Sequence, residues 1–365
     1  MTNHAEIHPT KTPHARGACC FIIPPDILTR LAESGDRATR AEALNSLELS
    51  ARMRGRREAL GGFAAALAVS AGTKRRTVYD AQNARALPGK LLRGEGDARH
   101  KDTAVNEAYD GAGKTYDFFS KVFARNSIDN RGMRLDSTVH YGRDYQNAFW
   151  DGQQMVYGDG DGAIFNRFTR SLDVIGHELT HGVTEYEAGL VYEDQPGALN
   201  EHFSDVFGSL VKQHARKHTA AKADWLIGAG LFTKQVNGAA IRSMKAPGTA
   251  YDDPQIGQDP QPDHMKKFVR TASDHGGVHI NSGIPNKAFY EAAMRLGGNA
   301  WEKAGRIWYE TLCNRMNTRS NFQACANATH DVARQLYGLD SVEQRAIREA
   351  WDAVGIKTAP VARGR

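Results

Sequence analysis

The sequence has few cysteines and no long apolar run, and both shortages exclude whole classes of protein. Its four cysteines, Cys19, Cys20, Cys313 and Cys325, form no CxxC pair and are too few to provide a disulfide framework for 365 residues. No apolar stretch approaches the ~18 residues that a membrane-spanning helix requires. The 36 glycines follow no three-residue period, which excludes a collagen-like chain. We therefore expect a globular protein with no membrane among its partners.

The net charge of +5 is confined to the start of the chain. Residues 1–76 hold 12 Lys and Arg against 7 Asp and Glu, whereas the other 289 residues hold 35 of each sign. A basic isoelectric point can indicate nucleic-acid binding, but the body of this protein has no excess of positive charge. We therefore expect no nucleic-acid partner.

Composition divides the chain into three parts. Residues 1–76 combine a short apolar block that two prolines stop with two helical patterns and a Gly/Ala-rich stretch. Residues 77–170 have frequent turn signals and predict a β-rich domain with a helix near 104–123. Residues 171–365 predict a mainly helical domain with a loop at 237–283. The helical patterns in this last part cover residues 172–186, 199–216, 285–296, 300–316, 321–336 and 341–354.

The stretch 52–72 admits two interpretations. Arginines followed by an apolar Gly/Ala run are similar to a signal peptide that begins at Met53. We favour the alternative, a protease-sensitive linker between a prosegment and the body, because a signal peptide belongs at the true N-terminus. Residues 1–76 are therefore expected to be a propeptide and linker, and no classical signal is recognisable at Met1.

The strongest local feature is the motif HELTH at residues 177–181. Because positions i and i+4 share one face of a helix, His177 and His181 can reach a single metal ion. A HExxH motif arises by chance in a chain of this length with odds on the order of a few in a hundred. The motif alone therefore leaves a zinc site and an ordinary helix about equally plausible.

Two carboxylates further along the chain favour the zinc site. Glu201 lies 24 residues after His177, where another helical pattern begins. It can complete a His2Glu zinc site and leave a fourth position for water, as a catalytic zinc requires. Asp205 follows on the same helix face and can accept a hydrogen bond from the free ring N–H of a ligating histidine.

These residues resemble the signature of the thermolysin-like neutral metalloproteases, gluzincins that combine HExxH with a distant glutamate. The block IIPP at residues 22–25 is similar to the short propeptide of the protealysin-like branch. The resemblance implies an α+β, thermolysin-like two-domain fold with the HExxH helix at the cleft between a β-rich N-terminal and a mainly helical C-terminal domain. It runs over residues 79–357, with matches at NAFW 147–150, MVYGDGDG 155–162, HELTH 177–181, GGVHINSG 276–283 and AVG 353–355.

The resemblance assigns His177, His181 and Glu201 to Zn²⁺. Behind these ligands it places Asp205 and Asn200, which are expected to support them.

The resemblance also assigns four catalytic roles. Glu178 would be the general base that takes a proton from the zinc-bound water and passes it to the leaving amine. His279 and Tyr192 would donate hydrogen bonds to the tetrahedral oxyanion, and Asp274 would orient His279.

The substrate cleft is likewise inferred from the resemblance. Peptide bonds would be cut on the amino side of hydrophobic residues, because an apolar pocket favours an apolar side chain by ~25 cal/mol per Å² buried. The substrate would lie along Asn147, Ala148, Phe149 and Trp150. The S1′ pocket would be lined by Phe165, Phe168, Val174, Ile227, Leu231 and Ile241, with Arg242 at its side. Any one of these pocket residues fits an ordinary core position equally well.

One departure from the family concerns calcium. The family's paired calcium site has acidic residues at the positions of Asp173, Lys212, Asp224, Leu226 and Ala229. Calcium takes six to eight oxygen ligands, and a lysine ammonium supplies none. Ca²⁺ is therefore a possible cofactor only at a degraded site, where Lys212 can neutralise the remaining carboxylates.

Two other functions fit parts of the pattern. A catalytically silent binding scaffold is disfavoured by the intact Glu178, His279 and ligand set. A zinc aminopeptidase also uses HExxH with a distant glutamate, but no motif for binding a substrate's N-terminus is recognisable. We therefore predict a monomeric zinc endopeptidase precursor that acts on proteins and peptides. We expect it to be secreted without a classical signal peptide, with a cytoplasmic location as the alternative.

The prosegment is expected to inhibit its own enzyme. Residues 21–23 could occupy the substrate cleft while Pro24 and Pro25 resist hydrolysis. Cys19 or Cys20 could offer a thiolate to the open zinc position. Simple burial of these cysteines is the commoner alternative.

Overall fold

The segment predicted to be a prosegment, called the prosegment below, forms one short strand and two helices, β1 (Cys20–Phe21), α1 (Pro25–Ser34) and α2 (Arg37–Leu60). They belong to a computed structural model that describes residues 20–60 and 73–359. Pro25 begins α1 at a position where its missing N–H removes no helical hydrogen bond. The helix then buries one face. Both helical patterns that were predicted in this part of the chain are confirmed.

Helix α2 attaches the prosegment to the body. Ser50 Oγ lies 3.0 Å from the hydroxyl of Tyr145, and Ser46 Oγ accepts a hydrogen bond from the backbone N–H of Gln146 at 3.1 Å. Leu49 is buried in a small apolar cluster that contains residues from both the prosegment and the body. These contacts fix the helix beside the strand that borders the cleft.

The prosegment also extends the main sheet of the body. The sheet order is β1-β5-β6-β4-β2-β3. Strands β2, β4 and β6 run parallel, whereas the pairs β2–β3, β5–β6 and β1–β5 are antiparallel. Cys20 lies opposite Trp150, and Phe21 lies opposite Phe149. The five body strands are β2 (Arg76–Asp80), β3 (Lys90–Arg93), β4 (Leu135–Val139), β5 (Ala148–Trp150) and β6 (Gln154–Tyr157).

Helices dominate the rest of the chain, as predicted. Helix α3 (Thr103–Phe123) contacts the sheet and coincides with the helix expected near 104–123. The later helices are α4 (Leu172–Glu187), α5 (Asp194–Arg216), α6 (Asp274–Asn281), α7 (Gly283–Leu296), α8 (Ala304–Asn314), α9 (Phe322–Tyr337) and α10 (Val342–Ala353). Two short hairpins pair β7 (Leu226–Ile227) with β8 (Arg242–Ser243) and β9 (Asp252–Asp253) with β10 (Gly257–Gln258). Within the described ranges, every helix is too short or too polar to cross a membrane.

Helices α4 and α5 pack closely because a glycine lies where they meet. A Cβ atom at Gly208 would lie 2.4 Å from the carbonyl oxygen of Asp173 and 2.9 Å from the backbone nitrogen of His177. Since real Cβ atoms do not approach backbone this closely, any larger residue would push the helices apart. The close approach brings His177 on α4 next to Glu201 and Asp205 on α5.

The prediction of a loop over residues 237–283 is wrong for its last part, which forms α6. Residues 274–277 have φ values between 51° and 84°, in the left-handed region. Glycines occupy two of these four positions and are typical of loops, so the sequence hides the helix that follows. The turn aims His279, near the end of α6, at the residues of α5.

Candidate active site

Three side chains from α4 and α5 converge at one buried point. His177 Nε2 and His181 Nε2 are 2.9 Å apart. Carboxylate oxygens of Glu201 lie 3.4 Å from His177 Nε2 and 3.5 Å from His181 Nε2. The structure therefore brings together the three side chains that were predicted to bind zinc.

The outer ring nitrogens of both histidines are held by α5. His177 Nδ1 lies 2.8 Å from Asp205 Oδ1, and His181 Nδ1 lies 2.8 Å from Asn200 Oδ1. Both partners are acceptors, so we assign the ring proton of each histidine to Nδ1. Each Nε2 then presents a lone pair to the point where the three side chains meet.

This donor set fits a divalent cation such as Zn²⁺. Two lone pairs 2.9 Å apart repel each other unless a cation lies between them. Tetrahedral ligands at about 2.0–2.2 Å from zinc are separated by about 3.3 Å, close to the spacings found here. Glu201 Oε2 is buried and has no hydrogen-bond partner among the described residues. Burial lowers the pKa of His181 to about 3, which keeps the ring in the neutral form that binds metals.

Asp205 is itself fixed by a cation. Arg242 donates to both of its carboxylate oxygens, from Nε and Nη2, at 2.8 Å each, and Asn286 Nδ2 donates to Oδ2 at 2.8 Å. Burial favours a higher pKa for Asp205, but Arg242 and His177 outweigh it and hold that pKa below its ordinary value. The group that accepts the hydrogen bond from His177 Nδ1 is therefore an ionised carboxylate.

Glu178 lies beside the ligands and is fully buried. Its Oε2 accepts a hydrogen bond from the backbone N–H of Trp150 at 3.1 Å. Its Oε1 has no hydrogen-bond partner in the part of the chain that the structure describes. Burial, followed by the nearby charge of Glu201, raises the pKa of Glu178 well above its ordinary value. Such a carboxylate accepts a proton readily, as a general base must.

His279 and Tyr192 adjoin the ligands from other elements. His279 Nδ1 lies 2.6 Å from Asp274 Oδ1, and the Tyr192 hydroxyl, which donates to Glu201 Oε1, lies 3.2 Å from His279 Nε2. Burial favours a lower pKa for His279, but the charges of Asp274 and Glu201 outweigh it and raise the pKa to about 9. A protonated His279 can donate from both ring nitrogens.

Residues 20–23 of the prosegment lie in this site as an extended segment. The Ile22 N–H donates to the Ala148 carbonyl at 3.3 Å. The Ile23 N–H donates to Asn147 Oδ1 at 3.0 Å. The bond to Ala148 continues the β1–β5 pairing along the edge of the cleft, in the manner of a peptide that adds a strand to a sheet, and the Asn147 side chain holds the next residue.

Two carbonyls of the same segment accept hydrogen bonds from residues of the candidate site. The Phe21 carbonyl accepts a hydrogen bond from His279 Nε2 at 2.9 Å. The Ile22 carbonyl accepts one from Arg242 Nη1 at 3.1 Å. The peptide bond between Phe21 and Ile22 is therefore the one that lies nearest the predicted oxyanion donor.

The residues predicted to line the S1′ pocket are buried in one apolar core together with Ile22. Ile22 is 0% exposed, so its side chain is completely enclosed. Arg242 donates to Asp205 from two of its nitrogens, and its third nitrogen, Nη1, donates to the Ile22 carbonyl. The core that contains Ile22 includes Phe165, Phe168, Val174, Ile227, Leu231 and Ile241.

Cys20 lies next to two of the candidate ligands. Its Sγ, one ring nitrogen of His181 and one carboxylate oxygen of Glu201 all lie within 4.8 Å of one another. Cys20 is buried. Cys19, the other cysteine considered from the sequence, lies outside the described residues.

A lysine lies among the residues at the expected calcium position. Lys212 Nζ is 2.7 Å from Asp173 Oδ2, 2.8 Å from Asp224 Oδ1 and 2.6 Å from the Leu226 carbonyl. Burial favours a lower pKa for Lys212, but Asp173 and Asp224 outweigh it and raise the pKa. The ammonium group therefore stays charged among these oxygens.

Two polar residues of the site were not predicted from the sequence. Ser204 Oγ lies 3.0 Å from His181 Nδ1, and its position three residues after Glu201 on α5 was an available signal. Asn286 on α7 links Asp205 to His202. Because α7 reaches the site only through tertiary packing, no local pattern marks Asn286.

Comparison with known proteins identifies the family. A family model described as the thermolysin metallopeptidase catalytic domain matches residues 67–185, and one described as the alpha-helical domain matches residues 188–356. The chain belongs to the thermolysin metallopeptidase family. The predicted metalloendopeptidase class is therefore confirmed.

Individual relatives are similar over most of the chain. An extracellular metalloprotease of Pectobacterium carotovorum subsp. carotovorum is 50% identical over 345 residues, which are 93% of this chain and 96% of that protein. Protease PrtS of Photorhabdus sp. (strain Az29) is 53% identical over 288 residues, 78% of this chain and 77% of that protein. Among solved structures, the precursor of protealysin, a metalloproteinase from Serratia proteamaculans, matches at 53% identity. Its TM-score is 0.85 over 92% of this chain and 99% of that chain, which confirms the predicted fold.

Proposed function

We propose that this thermolysin metallopeptidase is a zinc endopeptidase precursor that cuts peptide bonds on the amino side of hydrophobic residues. The observation that carries the proposal is the substrate-like strand of the prosegment. Ile22 is fully enclosed in the apolar core beside Arg242, and the preceding carbonyl accepts a hydrogen bond from His279. A peptide substrate in the same position would bury a hydrophobic side chain immediately after the bond to be cut.

The specificity follows from where polar groups are available. Asn147 and Ala148 bind the main chain of a peptide, which carries no sequence information. The side chain after the cut would be buried in the apolar core that holds the predicted pocket residues, and the charge of Arg242 is already paired with Asp205. An acidic or basic side chain would be buried there without a partner. Leu, Ile, Val and Phe are therefore the favoured residues.

His177, His181 and Glu201 would hold the zinc, which supplies the Lewis acidity that makes a water molecule nucleophilic near neutral pH. Glu178 takes a proton from the attacking water on Oε1 and delivers it to the leaving nitrogen. His279, oriented by Asp274, donates to the carbonyl oxygen as negative charge develops there. One such donor is typically worth ~2.7–4 kcal/mol.

Tyr192 is the second candidate donor to that oxygen. In the precursor its hydroxyl donates to Glu201 Oε1. It lies 3.2 Å from His279 Nε2, within reach of the same carbonyl region. We propose that Tyr192 turns to the oxyanion when a substrate replaces the prosegment.

The prosegment would keep the precursor latent until it is removed. Strand β1 covers the catalytic residues and Ile22 fills the pocket, so a substrate cannot enter. We propose residues 1–76 as propeptide and linker, 77–170 as the sheet-containing part and 171–365 as the helical part of the enzyme, with removal by a cut within residues 50–77. The relative from Pectobacterium carotovorum subsp. carotovorum is described as extracellular, which supports secretion over a cytoplasmic location.

A peptide blocked at both ends and internally quenched tests this function. The mature enzyme should cut it before a central Leu, and should cut a matched peptide with Asp in place of that Leu far more slowly. Blocked ends exclude an aminopeptidase, and any turnover excludes a silent scaffold. A preference for a charged residue after the cut would contradict the proposal.

A further inference from the structure

The prosegment offers its own enzyme an ordinary peptide bond between Phe21 and Ile22. His279 already donates to the carbonyl of that bond, and the side chain after it fills the apolar core. The nearest prolines follow at 24 and 25, so neither residue of the bond is itself protected. A bond held in this way survives only if the attacking water is kept away.

Cys20 is the residue before Phe21, one position ahead of this bond, and it is positioned by the sheet. Its pairing with Trp150 fixes its backbone beside β5. The sulfur lies within 4.8 Å of a ligand atom of His181 and of Glu201. Independently of the cysteine, Glu201 Oε2 is enclosed there without a hydrogen-bond partner in the described ranges. The thiol therefore lies beside His181 and Glu201, two of the three candidate ligands, and His177 Nε2 lies 2.9 Å from His181 Nε2.

We propose that Cys20 Sγ is the fourth zinc ligand of the precursor and excludes the attacking water. The inference rests on the proposed zinc site and deepens it. The thiol loses its proton to solvent as the sulfur binds the metal, and no electron is transferred. A site with four protein ligands is closed, in the way that structural zinc sites are, whereas a catalytic site keeps one position open.

This arrangement couples two events that activation requires. Cys20 and Ile22 belong to the same short segment, so both leave when β1 separates from β5. Departure of the strand would open the fourth zinc position and the S1′ pocket together. Until then Glu178 has no water from which to take a proton.

The test uses the full-length precursor with Glu178→Ala, which prevents self-processing without removing a ligand. Zinc is replaced by Co²⁺, whose bond to a thiolate gives an intense near-ultraviolet charge-transfer band, while its visible bands report metal binding itself. Four precursors are compared: Glu178→Ala alone, and Glu178→Ala combined with Cys20→Ala, with the matched control Cys19→Ala, or with His177→Ala. Melting curves establish that each variant is folded, and Cys20→Ser replaces Cys20→Ala if that variant does not fold.

We expect the thiolate band in Glu178→Ala and in the Cys19→Ala control, and its loss in Cys20→Ala with the visible bands retained. Bound Co²⁺ without the band in Glu178→Ala would overturn the inference and leave the proposed zinc site intact. Persistence of the band in Cys20→Ala would also overturn it. Failure of Co²⁺ to bind, or binding that survives His177→Ala, would overturn the proposed zinc site as well.

Discussion

Replacing Ile22 by alanine should loosen the prosegment without touching a catalytic residue. The Ile22 side chain is 0% exposed, so its removal leaves a cavity in a closed pocket. Such substitutions cost roughly 2–5 kcal/mol in well-packed cores. Because each 1.4 kcal/mol is a factor of ten, even about 2–3 kcal/mol should raise the open population of this strand by about 30- to 150-fold.

Hydrogen exchange of the Glu178→Ala precursor measures that population. The amides of residues 22 and 23 donate to Ala148 and Asn147, and they exchange only when the strand opens. The matched control is Leu44→Ala, since Leu44 lies on α2 of the same prosegment but is 53% exposed. We expect faster exchange in Ile22→Ala and none of this change in the control. Equal rates in both variants would refute the argument that the buried Ile22 holds the strand.

The remaining predictions concern three cationic side chains. Lys212 occupies the expected calcium position, so a calcium-selective chelator should leave the melting temperature unchanged, and a large fall would contradict this placement. Lys212→Met should lower the free energy of unfolding by roughly 3–5 kcal/mol, because it leaves the buried Asp173 carboxylate without its cation. The hydrogen bond to Asp159 raises the pKa of His140 to about 9. The stabilisation by His140 is therefore full below pH ~6.5 and is lost as the pH rises through about 9. After discounting for solvent, roughly 1–2 kcal/mol should disappear, and melting curves of His140→Gln that keep the same pH dependence would refute this assignment. His279→Ala in the mature enzyme should lower kcat by about 10²–10³ with zinc retained, and loss of zinc in that variant would instead indicate a structural role.

The side-chain cluster proposed to bind zinc could be predicted because its geometry is local. His177 and His181 share one face of α4, and Glu201 and Asp205 share one face of α5, so helical spacing alone places each pair. Only the meeting of the two helices is a tertiary event, and the glycine at 208 permits it. The long helices were likewise predictable from their periodicity.

Features that depend on distant partners were not predictable to the same degree. The two-residue strand β1 has too few residues to show a pattern, and its partner β5 lies more than a hundred residues away. Arg242 was expected beside the pocket, but its double hydrogen bond to Asp205 joins two elements that no spacing connects. The helix that carries His279 was missed because its left-handed first turn contains residues typical of loops.

The central claim is that Glu178 serves the chemistry of a zinc site that it does not itself ligate. The direct test compares the natural enzyme with Glu178→Gln after active enzyme has removed the prosegment from both. Metal analysis should find one zinc per chain in each, while cleavage of the doubly blocked Leu peptide should fall by a factor on the order of 10³ or more in the variant. Near-normal turnover by Glu178→Gln would contradict the account.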